Sequence, residues 1–119
     1  MNTEILRNNT LIAEFLGLEL EETLQGDKVY AIKMPDYRDG LEHRFRTHWY
    51  SPEELRFHRD WNHLLIVVKA IKEKAEYESV YKNADLTSRL DRNLSNLYFK
   101  GLYEECVLTI QLMDDIKGI

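Results

Sequence analysis

The chain has 119 residues, 44% of them hydrophobic and 31% charged, with a net charge of −5. That length and balance describe a single domain, 1–119, able to close one hydrophobic core without metal or disulfide staples. They exclude a disordered chain and argue against a protein held to nucleic acid by bulk positive charge.

The first predicted element is a helix from about Thr3 to Leu16, carrying Ile5, Leu11, Ile12, Phe15 and Leu16. It begins at Thr3, or only after Asn9 acting as N-cap. Gly17 follows at the position where a helix ends with positive φ.

Two strands come next. Leu18 and Leu20 alternate with Glu19 and Glu21, and Val29, Ala31 and Lys33 alternate with Tyr30, Ile32 and Met34. Period-two patterning on both sides of Leu24-Gln25-Gly26-Asp27 predicts an antiparallel hairpin over about 18–34, closed by Pro35.

Residues 36–57 combine turn formers (Asp36, Asp39, Gly40, Pro52) with large apolar side chains (Phe45, Trp49, Tyr50, Leu55, Phe57). A loop this long without structure of its own is unusual. The segment therefore holds a third strand, or its aromatics pin it to the core. Ser51-Pro52-Glu53-Glu54 has the order of a capping box with Pro at N1.

With Asp60 as N-cap, a helix is predicted over about Trp61–Glu76, its stripe being Trp61, Leu64, Leu65, Val68, Ile71 and Ala75. Leu86, Leu90, Leu94 and Leu97 repeat at helical spacing and predict a third helix, capped by Asp85. The last runs from about Leu102 to Ile116, with Leu102, Tyr103, Cys106, Ile110 and Met113 on one face. Glu104 and Glu105 in its first turn and Lys117 at its end suit the helix dipole, and Gly118 is its terminator. The fold class is α+β: a small antiparallel sheet packed by about four helices.

Cys106 is the one cysteine, so no intramolecular disulfide forms; among Val107 and Leu108 it reads as a small buried hydrophobe in a reducing compartment. The longest apolar run, Leu64 to Val68, is far short of the roughly 20 residues that span a bilayer. Residues Met1 to Glu14 lack the basic start and continuous apolar stretch of a leader peptide. A cytoplasmic protein without a membrane partner is expected.

The run from Leu55 to Ile71, which contains Phe57-His58-Arg59-Asp60-Trp61-Asn62-His63, resembles a motif of small Bacteroidetes and phage proteins, the phage ABA-sandwich domain family. Asn9 to Glu19 resembles that family's opening, and Leu102 to Ile116 its final helix. The resemblance covers about half of the chain. The departures are His63 in place of a second Trp, Ile66 in place of a Pro, and no aromatic-rich ending. The resemblance implies an origin in a phage, prophage or gut bacterial genome and implies no activity.

His58 is matched by the motif; alone, without a readable partner, it fits a hydrogen bond to nearby backbone better than acid–base chemistry. His43, His48, His58 and His63 form two pairs spaced five apart, which sets their rings about 140° apart on a helix and suits zinc poorly, so no metal or other cofactor is expected. Arg38, Arg44, Arg46, Arg56 and Arg59 interleave with Phe45, Trp49, Tyr50 and Phe57, a pattern suited to single-stranded nucleic acid. Nearby Asp and Glu residues dilute that patch, and aromatics turned to the core are the simpler reading. No nucleophile pairing or Gly-rich phosphate loop is present, so no catalytic residue is expected. The leading expectation is a phage- or mobile-element-related, non-catalytic interaction module that presents a helical face to a protein partner or self-associates. The alternative is a nucleic-acid-binding accessory protein using 38–59. The candidate binding residues are Arg44, Arg46, Trp49, His58 and Arg59.

Overall fold

The computed structural model describes residues 2–35, 45–82 and 84–118. Helix α1 spans Thr3–Phe15, and its cap is Asn2, whose side chain accepts from the Glu4 N–H at 2.8 Å. Asn9 is therefore not a cap; it sits in mid-helix and is buried. Gly17 has φ +72°, and the Leu18 N–H donates back to the Ala13 carbonyl. This terminates α1 as the sequence predicts.

Strand β1 (Leu20–Glu22) pairs antiparallel with β2 (Lys28–Pro35), Leu20 opposite Tyr30. Thr23 and Asp27 close the turn between them through two hydrogen bonds. The open alternative for 36–57 is settled by a third strand, β3 (Phe45–Tyr50), antiparallel to β2 in the order β1-β2-β3. Directly opposite residues share a face. Tyr30 and Ile32 lie on the face turned to the helices, with Tyr50 and His48 as their partners. Val29, Ala31 and Lys33 are on the other, with Trp49 and Thr47.

After β3, Ser51 opens a single 3-10 turn, Pro52–Glu54, its N–H donating to Glu54 Oε1 at 3.0 Å. Those bonds from Ser51 hold the Glu54 carboxyl below its ordinary range. The turn delivers Leu55 and Phe57 into the core, both fully buried.

Helix α2 spans Trp61–Tyr77, and the Asp60 carboxylate accepts from the N–H groups of Asn62 and His63. Its buried stripe is His63, Leu64, Val67, Val68 and Ile71. The expected stripe was rotated slightly: Leu65 is exposed, and Trp61 is only half-buried, its ring edge-on to Phe99 with centroids 4.9 Å apart. A second 3-10 turn, Ser79–Tyr81, leads toward α3 (Ser88–Ser95). The cap position of α3 is held by Thr87 rather than by Asp85; Asp85, two residues earlier, accepts from the Ser88 hydroxyl and N–H, and these bonds keep its carboxyl acidic. Helix α4 is longer than predicted, Phe99–Lys117, so Glu104 and Glu105 stand in its second turn rather than its first. Its buried face contains Leu102, Tyr103, Cys106, Ile110 and Met113 as expected, joined by Val107 and Thr109. Gly118 ends it without a positive φ. Where α3 meets α4, a Cβ on Gly101 would stand 2.6 Å from Asn93 Oδ1 and 2.7 Å from the Tyr98 ring, so these side chains would have to shift.

The leucine repeat overshoots α3. Leu86 and Leu90 are buried, but Leu97 is exposed and holds φ +53° beyond the helix end. The Tyr98 N–H donates to the Asn93 carbonyl at 3.0 Å, the closing bond of a motif that favours glycine at position 97. Leu97→Gly will therefore raise stability by about 1 kcal/mol, because a non-glycine residue is strained there and its side chain packs little. A lower urea midpoint for the variant would show the side chain does more than its exposure suggests.

The helices cover one face of the sheet, and Tyr30 and Ile32 join their buried side chains in one core. The Lys72–Asp91 ion pair ties α2 to α3, and Arg89 approaches Glu105 of α4 at 3.9 Å. No helix among the described residues is long and apolar enough to cross a membrane.

Candidate functional site

Two places hold the residues singled out by sequence. The first is a polar node in the core. Asn9, fully buried, meets three partners from distant parts of the chain. Its Nδ2 donates to the Leu55 carbonyl at 3.3 Å and lies 2.9 Å from His58 Nδ1, and its Oδ1 accepts from the Tyr103 hydroxyl at 2.9 Å. The amide orientation follows from chemistry: turned the other way, its oxygen would oppose the Leu55 carbonyl oxygen. Both amide hydrogens are then donated, so His58 Nδ1 accepts and its proton sits on Nε2.

That arrangement suits only the neutral imidazole. Desolvation, and then the Arg59 guanidinium, push the His58 pKa below its ordinary value. Burial, with smaller effects of Glu4 and Cys106, pushes the Tyr103 phenol up to about 12. His58 and Tyr103 wall a surface hollow of about 390 Å³ with Glu4, Asn8, Lys100 and Glu104. A lone pair already used at Nδ1 and a phenol of such high pKa give this hollow little acid–base capacity. The backbone partner expected for His58 is in fact a side chain, which locks α1, the segment before α2, and α4 together.

The second place is strand β3. Phe45 and Trp49, four residues apart on one face of the strand, are 64% and 58% exposed. The expectation that these aromatics face the core is corrected here: Phe57 does and Tyr50 does in part, while Phe45 and Trp49 face outward. Alternation decides this. Tyr50 points inward opposite Tyr30, so Trp49, opposite Ala31, points outward. At the end of the sheet Phe45 also borders a groove of about 580 Å³ that Leu65, Ile66 and Ala70 of α2 close on the other side.

Among the described residues, the candidate binding residues do not gather into one patch. Arg46 lies opposite Met34 and Trp49 opposite Ala31, so the two project to opposite faces of the sheet. Arg56, which belongs to the same arginine run, is placed over the Tyr50 ring, 5.6 Å from its centroid. His58 is turned to α1 and α4, and Arg59 is exposed beside it. Arg44, with Arg38 and His43, lies outside the described residues.

Sequence reasoning missed two buried polar residues, Asn9 and His63. His63 is 4% exposed, with its ring edge-on to Tyr50 and Phe57 at centroid separations of 5.3 and 6.2 Å. Its Nδ1 is buried without a hydrogen-bond partner. Its place on α2 between Leu64 and the turn was a usable signal, since position 63 lies four residues before Val67 on the same stripe. Among the described residues no three His, Cys, Asp or Glu side chains gather as metal ligands. Burial, and secondarily Glu105, raise the Cys106 thiol to about 12, far from a reactive thiolate.

Comparison with protein-family models, curated proteins and solved structures found no match.

Proposed function

We propose that this domain is a non-catalytic accessory module that docks a protein through strand β3 and the open sheet face beside it. One observation carries the reading: an edge strand with two large aromatic side chains, Phe45 and Trp49, exposed on the same face. Exposed aromatics on one face are the side chains that anchor protein interfaces, because each removes a large apolar area from water at small entropic cost. This moves the docking surface from the helical face expected from sequence to the sheet. The resemblance of 55–71 to phage ABA-sandwich domains supports a phage or mobile-element origin, and a cytoplasmic setting fits the single buried thiol.

The test is the double substitution Phe45→Ser with Trp49→Ser, compared with the parent chain in co-purification with proteins encoded beside it. Because both side chains are exposed, the melting temperature should hold within a few degrees while co-purification is lost. Unchanged co-purification by the double variant would sink the proposal.

A second reading is favoured by the same pair of rings, since aromatics on an open sheet face also stack single-stranded bases. Two facts weigh against it: Arg46 is on the opposite face, and the chain carries a net charge of −5. It predicts retention on single-stranded DNA that fades with salt and vanishes in the Arg44→Ala, Arg46→Ala variant.

A further inference from the structure

We infer that the partner docked on β3 is a second copy of this chain, paired antiparallel about a two-fold axis at Thr47; this rests on the docking role proposed above. The sheet's two edges are built differently. β1 is three residues long, and Glu21 and Glu22 fill two of its positions. Short length and charge are the usual defences of an edge against pairing. β3 is six residues, Phe45-Arg46-Thr47-His48-Trp49-Tyr50, with no acidic residue, Pro or Gly and a single Arg. It is rich in the aromatic and β-branched types that favour strands. Among the described residues it pairs only with β2, so its outer edge is the template for another strand.

The strand is also complementary to itself. In an antiparallel pair, opposite residues share a face, so a two-fold axis must pass through a residue position. Placed at Thr47, the axis sets Phe45 opposite Trp49 of the second copy, and Trp49 opposite its Phe45. Thr47 meets itself, and Arg46 meets His48. Both aromatic pairs fall on the open face, where these rings are exposed in the single chain. Aromatic–aromatic and Thr–Thr pairs are among the favourable cross-strand combinations. An axis at His48 instead sets Thr47 against Trp49, and an axis at Arg46 sets two guanidinium groups together. Thr47 is the position that pairs aromatic with aromatic.

The area argues for a weak dimer. Four rings, each somewhat over half exposed, contribute roughly 400–600 Å², below the ~1,200 Å² of a standard stable interface. Two chains of net charge −5 also repel. A dissociation constant on the order of 10–100 μM is expected, tightening as salt screens the repulsion, the reverse of nucleic-acid binding.

The test is sedimentation equilibrium of the full chain from 5 μM to 1 mM, at low and moderate salt, with disulfide capture of a Thr47→Cys variant. Cys106 is buried and does not compete. The inference expects the average mass to rise from 14.2 kDa toward twice that value. Thr47→Cys should cross-link under oxidation, since opposite Cα atoms of an antiparallel pair stand about 5 Å apart, inside the range a disulfide spans. Trp49→Ser should weaken association by tenfold or more at an unchanged melting temperature. A constant monomer mass with no cross-link overturns the inference, and His48→Cys cross-linking in preference to Thr47→Cys overturns the axis. If the monomeric chain still loses co-purifying neighbours on Phe45→Ser, Trp49→Ser, the second copy is excluded and the docking role stands.

Discussion

Replacing Asn9 with Leu is expected to lower stability by about 3 kcal/mol, a large share of the roughly 5–15 kcal/mol that holds a domain of this size. Leucine has the same branched shape without the polar atoms and is larger than asparagine, so no cavity forms and any crowding at this fully buried site adds to the loss. What is lost is the pairing of groups that stay buried. The Leu55 carbonyl and the Tyr103 hydroxyl each lose their bond to the Asn9 amide. His58 Nδ1 loses the donor 2.9 Å away. An unsatisfied buried polar group costs about 1–3 kcal/mol, and three partial losses give the figure. Urea unfolding should show a lower midpoint with an unchanged slope, the sign of a native-state defect. Tyr103→Phe alone should cost about 1–2 kcal/mol, since it orphans Asn9 Oδ1. In the Asn9→Leu background the same change should cost almost nothing, because the hydroxyl no longer has a partner. Additive effects of the two substitutions would show that the hydroxyl and amide do not act as a unit.

Asn9 also shows where a sequence can be read and where it cannot. Its partners are 46, 49 and 94 residues away, and no local period carries such information. Read locally, an asparagine before an apolar run is a cap; in the fold it is the link between three segments. Features set by neighbours within a turn were legible: Asp60 capping α2, Gly17 closing α1, and Ser51 with Glu54 around the 3-10 turn. The hairpin was legible because Tyr30 and Ile32 alternate with less apolar neighbours. Periodicity misled where it continued past its element, as at Leu97, which extends the leucine spacing into a backbone that has already turned left-handed. Size misled at Phe45 and Trp49. Large aromatics suggest a core, but once β3 is extended and Tyr50 is turned inward, alternate residues must face outward. The candidate docking surface was thus visible as a set of residues, and its orientation was not, because that depends on which face the helices cover.

Acidification is expected to destabilise the fold through His58 and His63. Burial lowers the His63 pKa first; Arg56 and His48 lower it further, while Asp60 opposes them. Burial and Arg59 lower that of His58. The unfolded chain titrates its histidines near the ordinary value of about 6.5. Above that pH both states are neutral and the full stability is present. As the pH falls below it, the unfolded chain takes up protons that the folded chain cannot, and stability is lost until the depressed folded values are reached. His63 has a further reason to resist a proton: its Nδ1 has no acceptor to receive the new N–H, and its ring is enclosed by Tyr50 and Phe57. His58 would place a new N–H against the Asn9 amide donor. The urea midpoint should therefore hold above pH 7 and decline from about 6.5 toward pH 5. His63→Phe keeps an aromatic ring in the slot and removes the titration. It should match the parent within about 1 kcal/mol at pH 7.5 and exceed it at pH 5. The remaining decline then belongs to His58 and to the carboxylates held acidic by hydrogen bonds, Glu54 and Asp85. Because those carboxylates titrate lower, their loss falls at the acid end of the range, whereas the part removed by His63→Phe lies just below pH 6.5. An identical decline in the parent and in His63→Phe would mean that His63 takes up its proton without strain, through an opening between α2 and β3 that the packed rings of Tyr50 and Phe57 do not provide.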